Sequence, residues 1–284
     1  MSMPGSPSPY ALPDGHVQIA FSGGRTSAYM LHQILEVNGP LPDRVEVTFQ
    51  NTGREMSQTL DFVAEVGRRW AVRIVWLEYR PDAPFFEIVS HNRAARSGEP
   101  FEALIRKRRY LPNQQARFCT TELKVRTAKR YLRSLGWEHW TNCVGLRADE
   151  PRRLNKPAPK DRWTVWTPLA DAGVSRHDVA AFWRRQPFDL HLPNVNGRCW
   201  LGNCDGCFLK SEANIAAFTR EFPERAAWWE RMEALASSLS ARSAAHWSKR
   251  YTRTEMRDFM ARQGDWALRT EGALCQADGG ECFA

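Results

Sequence analysis

The sequence predicts an α/β fold built on a parallel sheet, followed by a cysteine-bearing, mostly helical C-terminal region. Three observations predict it. Short apolar runs alternate with helix-period segments through the first eighty residues. A Ser-Gly-Gly-Arg-Thr-Ser loop, Ser22 to Ser27, joins the first apolar run to the first amphipathic one. Beyond residue 197 the strand pattern gives way to a Cys-x4-Cys-x2-Cys loop and helical segments.

Each element follows from its residues. Val17 to Phe21 is a short apolar strand, and Ser27 to Val37 is a helix with Tyr29, Met30, Ile34 and Val37 toward one face. A second strand alternates Val45, Val47 and Phe49 and stops at Gly53. The next helix, Ser57 to Ala71, carries Leu60, Val63, Val66 and Trp70 at helical spacing, and Val72 to Tyr79 is a third strand. Strand, helix, strand, helix, strand implies right-handed crossovers, with ligands at the carboxyl ends of the strands. Residues 81–118 are less regular and contain four consecutive basic residues, Arg106 to Arg109. This run suits either a path for nucleic acid or a solvated helix face. Residues 121–136 read as a helix with Leu123, Ala128, Tyr131 and Leu135 inward, and residues 139–146 as a fourth strand ending in a charged loop. Ser175 with Asp178 is a capping pattern for the helix that follows. The expected division is a flexible Pro/Ser-rich arm over residues 1–15, a nucleotide-binding α/β domain over 16–197, and a cysteine-cluster and helical region over 198–284.

Composition narrows the function. The chain has 284 residues, 43% of them hydrophobic, so it can bury a core without disulfides. Forty Lys and Arg against 32 Asp and Glu give a net charge of +8, which favours polyanions or phosphate-rich small molecules. No apolar run is long enough to span a membrane, and the start lacks the apolar core of a secretory signal. Seven irregularly spaced cysteines fit a reduced, cytoplasmic protein.

The Ser22–Ser27 loop suits an anion. Gly23 and Gly24 let backbone amides approach it without a Cβ in the way, and the next helix presents its positive end. Ser22, Thr26 and Ser27 add hydroxyls, and Arg25 adds charge. At the end of the second strand, Asn51, Thr52 and Gly53, with Glu55, offer groups that suit a purine or ribose. After the fourth strand, Gly145, Arg147, Asp149, Glu150, Arg152 and Arg153 form a charged loop able to clamp oxyanions.

The cysteines form a second constellation. Cys119 opens a helix beside Arg117, a setting that lowers a thiol pKa. Together with Cys199, Cys204 and Cys207 it makes four thiolates, suited to Zn²⁺ or to an iron–sulfur cluster. Cys143 lies in an apolar strand as a core residue, and Cys275 and Cys282 lie in a polar tail.

Four segments in order carry a family resemblance: Phe-Ser-Gly-Gly-Arg-Thr-Ser at 21–27, Asn-Thr-Gly-Arg-Glu at 51–55, Gly-Leu-Arg-Ala-Asp-Glu-Pro-Arg-Arg at 145–153, and Pro-Leu-Ala-Asp at 168–171. The chain resembles the adenine nucleotide alpha hydrolase group, which contains ATP pyrophosphatases and the PAPS/APS reductases, and is similar to the sulfur-transfer subunits of DNA phosphorothioation. The common ATP-pyrophosphatase loop is Ser-Gly-Gly-Lys-Asp-Ser; this chain departs from it at Arg25 and Thr26. The resemblance implies a Rossmann-like domain and an adenosine nucleotide, ATP or PAPS/APS, with Mg²⁺ alongside ATP. It also implies a [4Fe–4S] cluster, with Zn²⁺ as the alternative. The leading expectation is adenylation of an acceptor coupled to sulfur transfer, with Arg25 and Arg147 stabilising charge on phosphate. A nucleic-acid acceptor and a sulfur-donor or reductant protein are the implied partners. The rivals are a sulfonucleotide reductase, with Cys282 taking the sulfur as a thiosulfonate, and a non-catalytic metal-containing module that binds nucleic acid.

Overall fold

The computed structural model describes residues 8–155, 161–195, 198–240 and 245–263. In chain order they form β1 (Val17–Ala20), α1 (Arg25–Asn38), β2 (Val45–Asn51), α2 (Ser57–Arg69), β3 (Ile74–Tyr79), β4 (Phe86–Val89) and α3 (Glu99–Arg108). A π-helical turn (Thr120–Arg126) runs into α4 (Thr127–Ser134), followed by β5 (Trp140–Cys143), α5 (Pro151–Leu154), β6 (Trp163–Trp166), α6 (Pro168–Asp171) and α7 (Arg176–Trp183). The hairpin of β7 (Asn194–Val195) and β8 (Arg198–Cys199) leads to α8 (Glu212–Glu221), α9 (Pro223–Leu239) and α10 (Arg253–Gln263).

The fold is α/β with a mostly parallel, mixed sheet, as the alternation of elements implies. The chain divides into two compact units that interleave in sequence: residues 1–49, 60–75 and 132–191, and residues 50–59, 76–131 and 192–284. In the first unit the strands are ordered β2-β1-β5-β6 and all run parallel. Val17 sits opposite Val45 on one side and Thr141 on the other, and Cys143 sits opposite Trp166. All four residues of β1 are buried, as expected of a strand covered on both faces. Its one polar member, Gln18, donates from Nε2 to Thr48 Oγ1 at 2.9 Å. Met30, Leu31 and Ile34 of α1 are fully buried, and the Cys143 thiol lies 3.5 Å from Met30 Sδ. Tyr29 and His32 meet Phe182 of α7 edge to face.

The second unit contains an antiparallel pair, with Trp76 opposite Val89 and Tyr79 opposite Phe86. Its core is aromatic. Phe101 of α3 meets Trp228 and Trp229 of α9, and Trp229 meets Trp247. Among the described residues, no helix is long and apolar enough to cross a membrane.

Several expectations need correction. Residues 81–118 hold β4 and α3; the strand is only four residues long, and the helix mixes its buried Phe101, Leu104 and Ile105 with five charged residues. Leu135 is 45% exposed because α4 ends before it, and Leu132 is buried instead. Val37 is also exposed, on the last turn of α1. The basic run is the solvated end of α3, exposed throughout, and its side chains also meet the protein's own acceptors. Arg106 pairs with Glu102 at 2.6 Å and Arg108 with Glu122 at 2.5 Å. Lys107 donates to the Pro81 carbonyl and Arg109 to Leu239 O. Residues 8–15 of the expected arm are tied down: Asn38 Nδ2 donates to Tyr10 O at 2.8 Å, and Arg44 Nη1 donates to Pro13 O at 2.7 Å. The Ser175–Asp178 capping box forms as the sequence indicates.

Candidate functional site

The Ser22–Ser27 loop leaves the carboxyl end of β1 and enters α1. Gly23 has φ +77°, a conformation open to glycine and strained for other residues. Ser27 fastens the turn: its Oγ accepts from Ser22 N at 3.2 Å, lies 2.9 Å from Ser22 Oγ, and donates to Gly24 O at 3.0 Å. Gly24 is the N-cap of α1, no side chain caps the helix, and its first turn has no acidic residue. The positive end of a fourteen-residue helix therefore opens on the loop with its amides not capped from within.

Two arginines flank this loop and do different things. Arg25 turns away to Asp189, donating from Nε at 2.6 Å and from Nη2 to the second oxygen, so its charge is matched in a two-pronged pair. Its carbonyl accepts from Trp183 Nε1 at 2.9 Å. Arg147, 6% exposed, reaches the loop itself: Nη1 donates to Thr26 Oγ1 at 3.3 Å. Arg147 Nε is held by Asp149 at 2.8 Å, and Glu150 accepts from Arg147 N at 3.1 Å. Arg153 Nη1 donates to Glu150 at 2.5 Å, and Gly145 is buried just upstream. Burial opposes charge on Asp149, but the Arg176 amide and the Arg147 guanidinium outweigh it and hold that carboxyl below its ordinary pKa. The structure thus brings Ser22, Gly23, Gly24, Thr26, Ser27 and Arg147 together, with Asp149, Glu150 and Arg153 behind Arg147.

In the second unit the Asn51–Glu55 segment spends its polar groups on itself and its neighbours. Asn51 Nδ2 donates to Glu78 Oε1 at 2.7 Å and to Ala95 O at 2.8 Å, while its Oδ1 accepts from Gly53 N at 3.0 Å. The Glu55 carboxylate accepts from Thr52 N at 2.9 Å and from Thr52 Oγ1 at 2.8 Å. Gly53 has φ +78°, and a Cβ there would press on the Gly98 backbone. Thr52 Oγ1 also lies 3.4 Å from Cys204 Sγ, so the strand-end turn meets the thiols.

Cys119, Cys204 and Cys207 line one cavity of about 20 Å³ with Thr52, Phe101 and Lys124, enough for roughly one water. Cys119 immediately precedes the π-helical turn, as the sequence indicates. Cys199, on β8, is not part of that wall. Burial pushes the Cys204 thiol up, Glu55 adds to this, and Lys124 pulls the other way. Among the described residues, no three His, Cys, Asp or Glu side chains are close enough to hold a metal ion. Thiols are the soft donor type that an iron–sulfur cluster or zinc takes. Cys275 and Cys282 lie outside the described residues.

The cysteine turn has a brace that sequence inspection passed over. Asp205, between Cys204 and Cys207 and fully buried, accepts from Arg54 Nη2 at 2.6 Å, Arg225 Nε at 2.6 Å, Trp229 Nε1 at 2.8 Å and Gly206 N at 2.7 Å. Its own amide donates to Arg54 O at 2.9 Å. Arg54 is 3% exposed and stacks over Trp228 at 4.8 Å. The one signal in the sequence was an Asp inside Cys-x-x-Cys; its partners lie about 20 to 150 positions away. Asp189, the partner of Arg25, was equally silent.

Residues 16–169 match the phosphoadenosine phosphosulfate reductase domain, a span holding the anion loop, the strand-end turn and the Arg147 loop. The nin region protein ORF290 of Escherichia phage lambda is 33% identical over 206 residues, covering 69% of this chain and 67% of that protein. A crystal structure of phosphoadenylyl-sulfate (PAPS) reductase from Candida auris, as a phosphate complex, aligns with a TM-score of 0.39 at 18% identity over 66% of this chain and 87% of that one. The domain match covers more than half of the chain, and the chain belongs to the phosphoadenosine phosphosulfate reductase family.

Proposed function

We propose that this chain is an enzyme that binds an adenosine nucleotide on the Ser22–Ser27 loop and uses it in sulfur chemistry, with a sulfonucleotide, PAPS or APS, as the substrate the site suits best. The contact of Arg147 with Thr26 carries this reading. Where the common ATP-pyrophosphatase loop has a carboxylate suited to Mg²⁺, this loop has a hydroxyl facing a guanidinium. Negative charge on the ligand is met by the protein's own cation.

The roles follow from the placements. Gly23 and Gly24 present amides to the oxyanion, Ser22 and Thr26 add hydroxyl donors, and Ser27 holds the turn. Arg147 stabilises charge developing on the leaving phosphate. Asp149, Glu150 and Arg153 orient Arg147, and Asp189 holds Arg25 to the loop's flank. Asn51, Thr52, Gly53 and Glu55 shape the strand-end turn. Cys119, Cys204 and Cys207, with Cys199, are the residues that would hold a [4Fe–4S] cluster or, failing that, Zn²⁺; such a group, when bound, handles electrons or sulfur. Cys282 is the proposed nucleophile toward the sulfonucleotide's sulfur, and a reductant protein would then release sulfite. Reduced thiols at these positions suit the cytoplasm.

The alternative is ATP with Mg²⁺: an acceptor oxygen attacks the α-phosphate, pyrophosphate leaves, and the adenylated acceptor, a nucleic acid among the candidates, takes up sulfur. The carboxylates of Asp149 and Glu150 beside Arg147 favour it. One experiment separates the readings. Anaerobically purified protein is given PAPS, APS or Mg-ATP with a thioredoxin, and sulfite and pyrophosphate are measured. Sulfite release, lost in Cys282→Ser, is expected. Pyrophosphate without sulfite would replace this reading with the ATP one. Neither product, with nucleotide binding retained, would leave a binding module. Iron, zinc and absorption measurements on the same sample test the metal.

A further inference from the structure

We infer that the second unit carries a separate site for a nucleoside phosphate, in a pocket bounded by the Asn113–Gln115 turn, the segment after Cys207 and the residues leading into α10. The pocket has a volume of about 510 Å³, within the range of small-ligand sites. Its construction is layered. Phe208 and Trp247 are buried at its base with their rings nearly parallel, 10° apart, and Tyr251 stands partly buried beside them. Together they make this wall of the pocket aromatic, suited to a planar heterocycle. The exposed Gln114 and Gln115 on the rim offer amide donors and acceptors for a base edge.

The charge is cationic. Lys249, Arg250 and Arg253 line the pocket, and Glu212 is the carboxylate on its wall. Glu212 pairs with Arg250 at 2.8 Å, while Lys249 is exposed and has no ion pair among the described residues. Lys210 is occupied, donating to Trp200 O and Gly202 O. Arg253 is 5% exposed and donates from Nη2 to Gly206 O at 2.8 Å, yet its Nε has no hydrogen-bond partner among the described residues. The acidic groups that face it within the unit are Glu233 and Asp205, with Tyr251 and Cys207. Glu233 is occupied by the amides of Trp247 and Arg253, and Asp205 by Arg54 and Arg225. A buried guanidinium with an unused donor, an unpaired rim lysine and an aromatic base call for a ligand that is anionic at one end and flat at the other. A nucleoside phosphate is that ligand, whether free or as one residue of a single strand. Phe208 also lines the cysteine cavity, so the ligand would sit one side chain from the thiols.

The test uses the full chain. AMP, TMP, inorganic phosphate and a ten-residue oligothymidylate are titrated, read by tryptophan fluorescence and calorimetry. The expected result is saturable binding of TMP below 1 mM, weakened at least about tenfold in Lys249→Glu, with the salt slope of the oligonucleotide lowered by about one. Arg250→Gln, also on the exposed rim, should weaken it in the same direction. An oligonucleotide tenfold or more tighter than TMP identifies a strand as the source; equal affinities identify a free nucleotide. No saturable binding of any probe, inorganic phosphate binding as tightly as the nucleotides, or Lys249→Glu within twofold of the parent would overturn the inference.

Discussion

The anion loop and the cysteine turn are both short, glycine-bearing segments, and they are held in opposite ways. Ser22 to Ser27 is fastened by its own backbone and two serine hydroxyls, within six residues. Cys204 to Cys207 is fastened by one buried carboxylate that takes two guanidiniums and an indole from distant positions. A self-contained turn tolerates loss of a neighbour, whereas a charge-braced turn leaves buried ions behind when one partner is removed. The contrast repeats inside the first unit, where Arg25 is neutralised by Asp189 and Arg147 meets the loop.

The most severe way to break this contrast is Asp205→Ala. It strands Arg54 and Arg225 and should cost about 3–5 kcal/mol, seen as a lower denaturant midpoint. Ser27→Ala in the loop should stay near 1 kcal/mol. Equal effects would show that the brace is not what holds the turn. Next is affinity for PAPS at the Ser22–Ser27 loop. Arg147→Ala should weaken it by roughly 10- to 100-fold, from loss of about 1.5–3 kcal/mol of charged hydrogen bonding, with Arg25→Ala well below that. The reverse order would return the anion-binding role to Arg25. Gly206→Ala comes third. Its Cβ would overlap the Trp229 indole, itself bonded to Asp205, and should cost about 1–3 kcal/mol. An unchanged melting temperature would show that the indole has room to shift.

The smallest effect concerns pH. Burial raises the Cys143 thiol well above its ordinary value of 9.0. Above that pH the unfolded chain loses a proton that the folded chain keeps, so stability falls as pH rises. The contribution is at most about 1.4 kcal/mol per pH unit. Cys143→Ala should flatten the fall between pH 9 and 10; an identical slope would assign it to other groups.

Much of the first unit was legible because its signals are local. Parallel strands buried on both faces read as apolar runs, and the strand–Gly-Gly–helix junction needs only adjacent residues. The Ser175–Asp178 box was legible for the same reason. The second unit hid its plan. β4 is too short to show a period, and α3 is charge-rich, its exposed basic end also meeting Glu102, Glu122 and two backbone carbonyls. Leu135 misled because a helix-end turn at Gly136, not a change in hydrophobicity, ends α4. Cys204 and Cys207 could be paired from their spacing, but Asp205, Arg54, Arg225 and Trp229 meet only after folding.

The shared carboxylate at Asp205 has a consequence for anyone who would transplant this part of the molecule. The tetrapeptide from Cys204 to Cys207 is not a portable cassette. Moved alone into a host scaffold, it would arrive with an acidic centre and nothing to neutralise it, and the two sulfurs would lose their mutual aim. A working graft would have to import Arg54, Arg225 and Trp229 as well, each from its own stretch of chain.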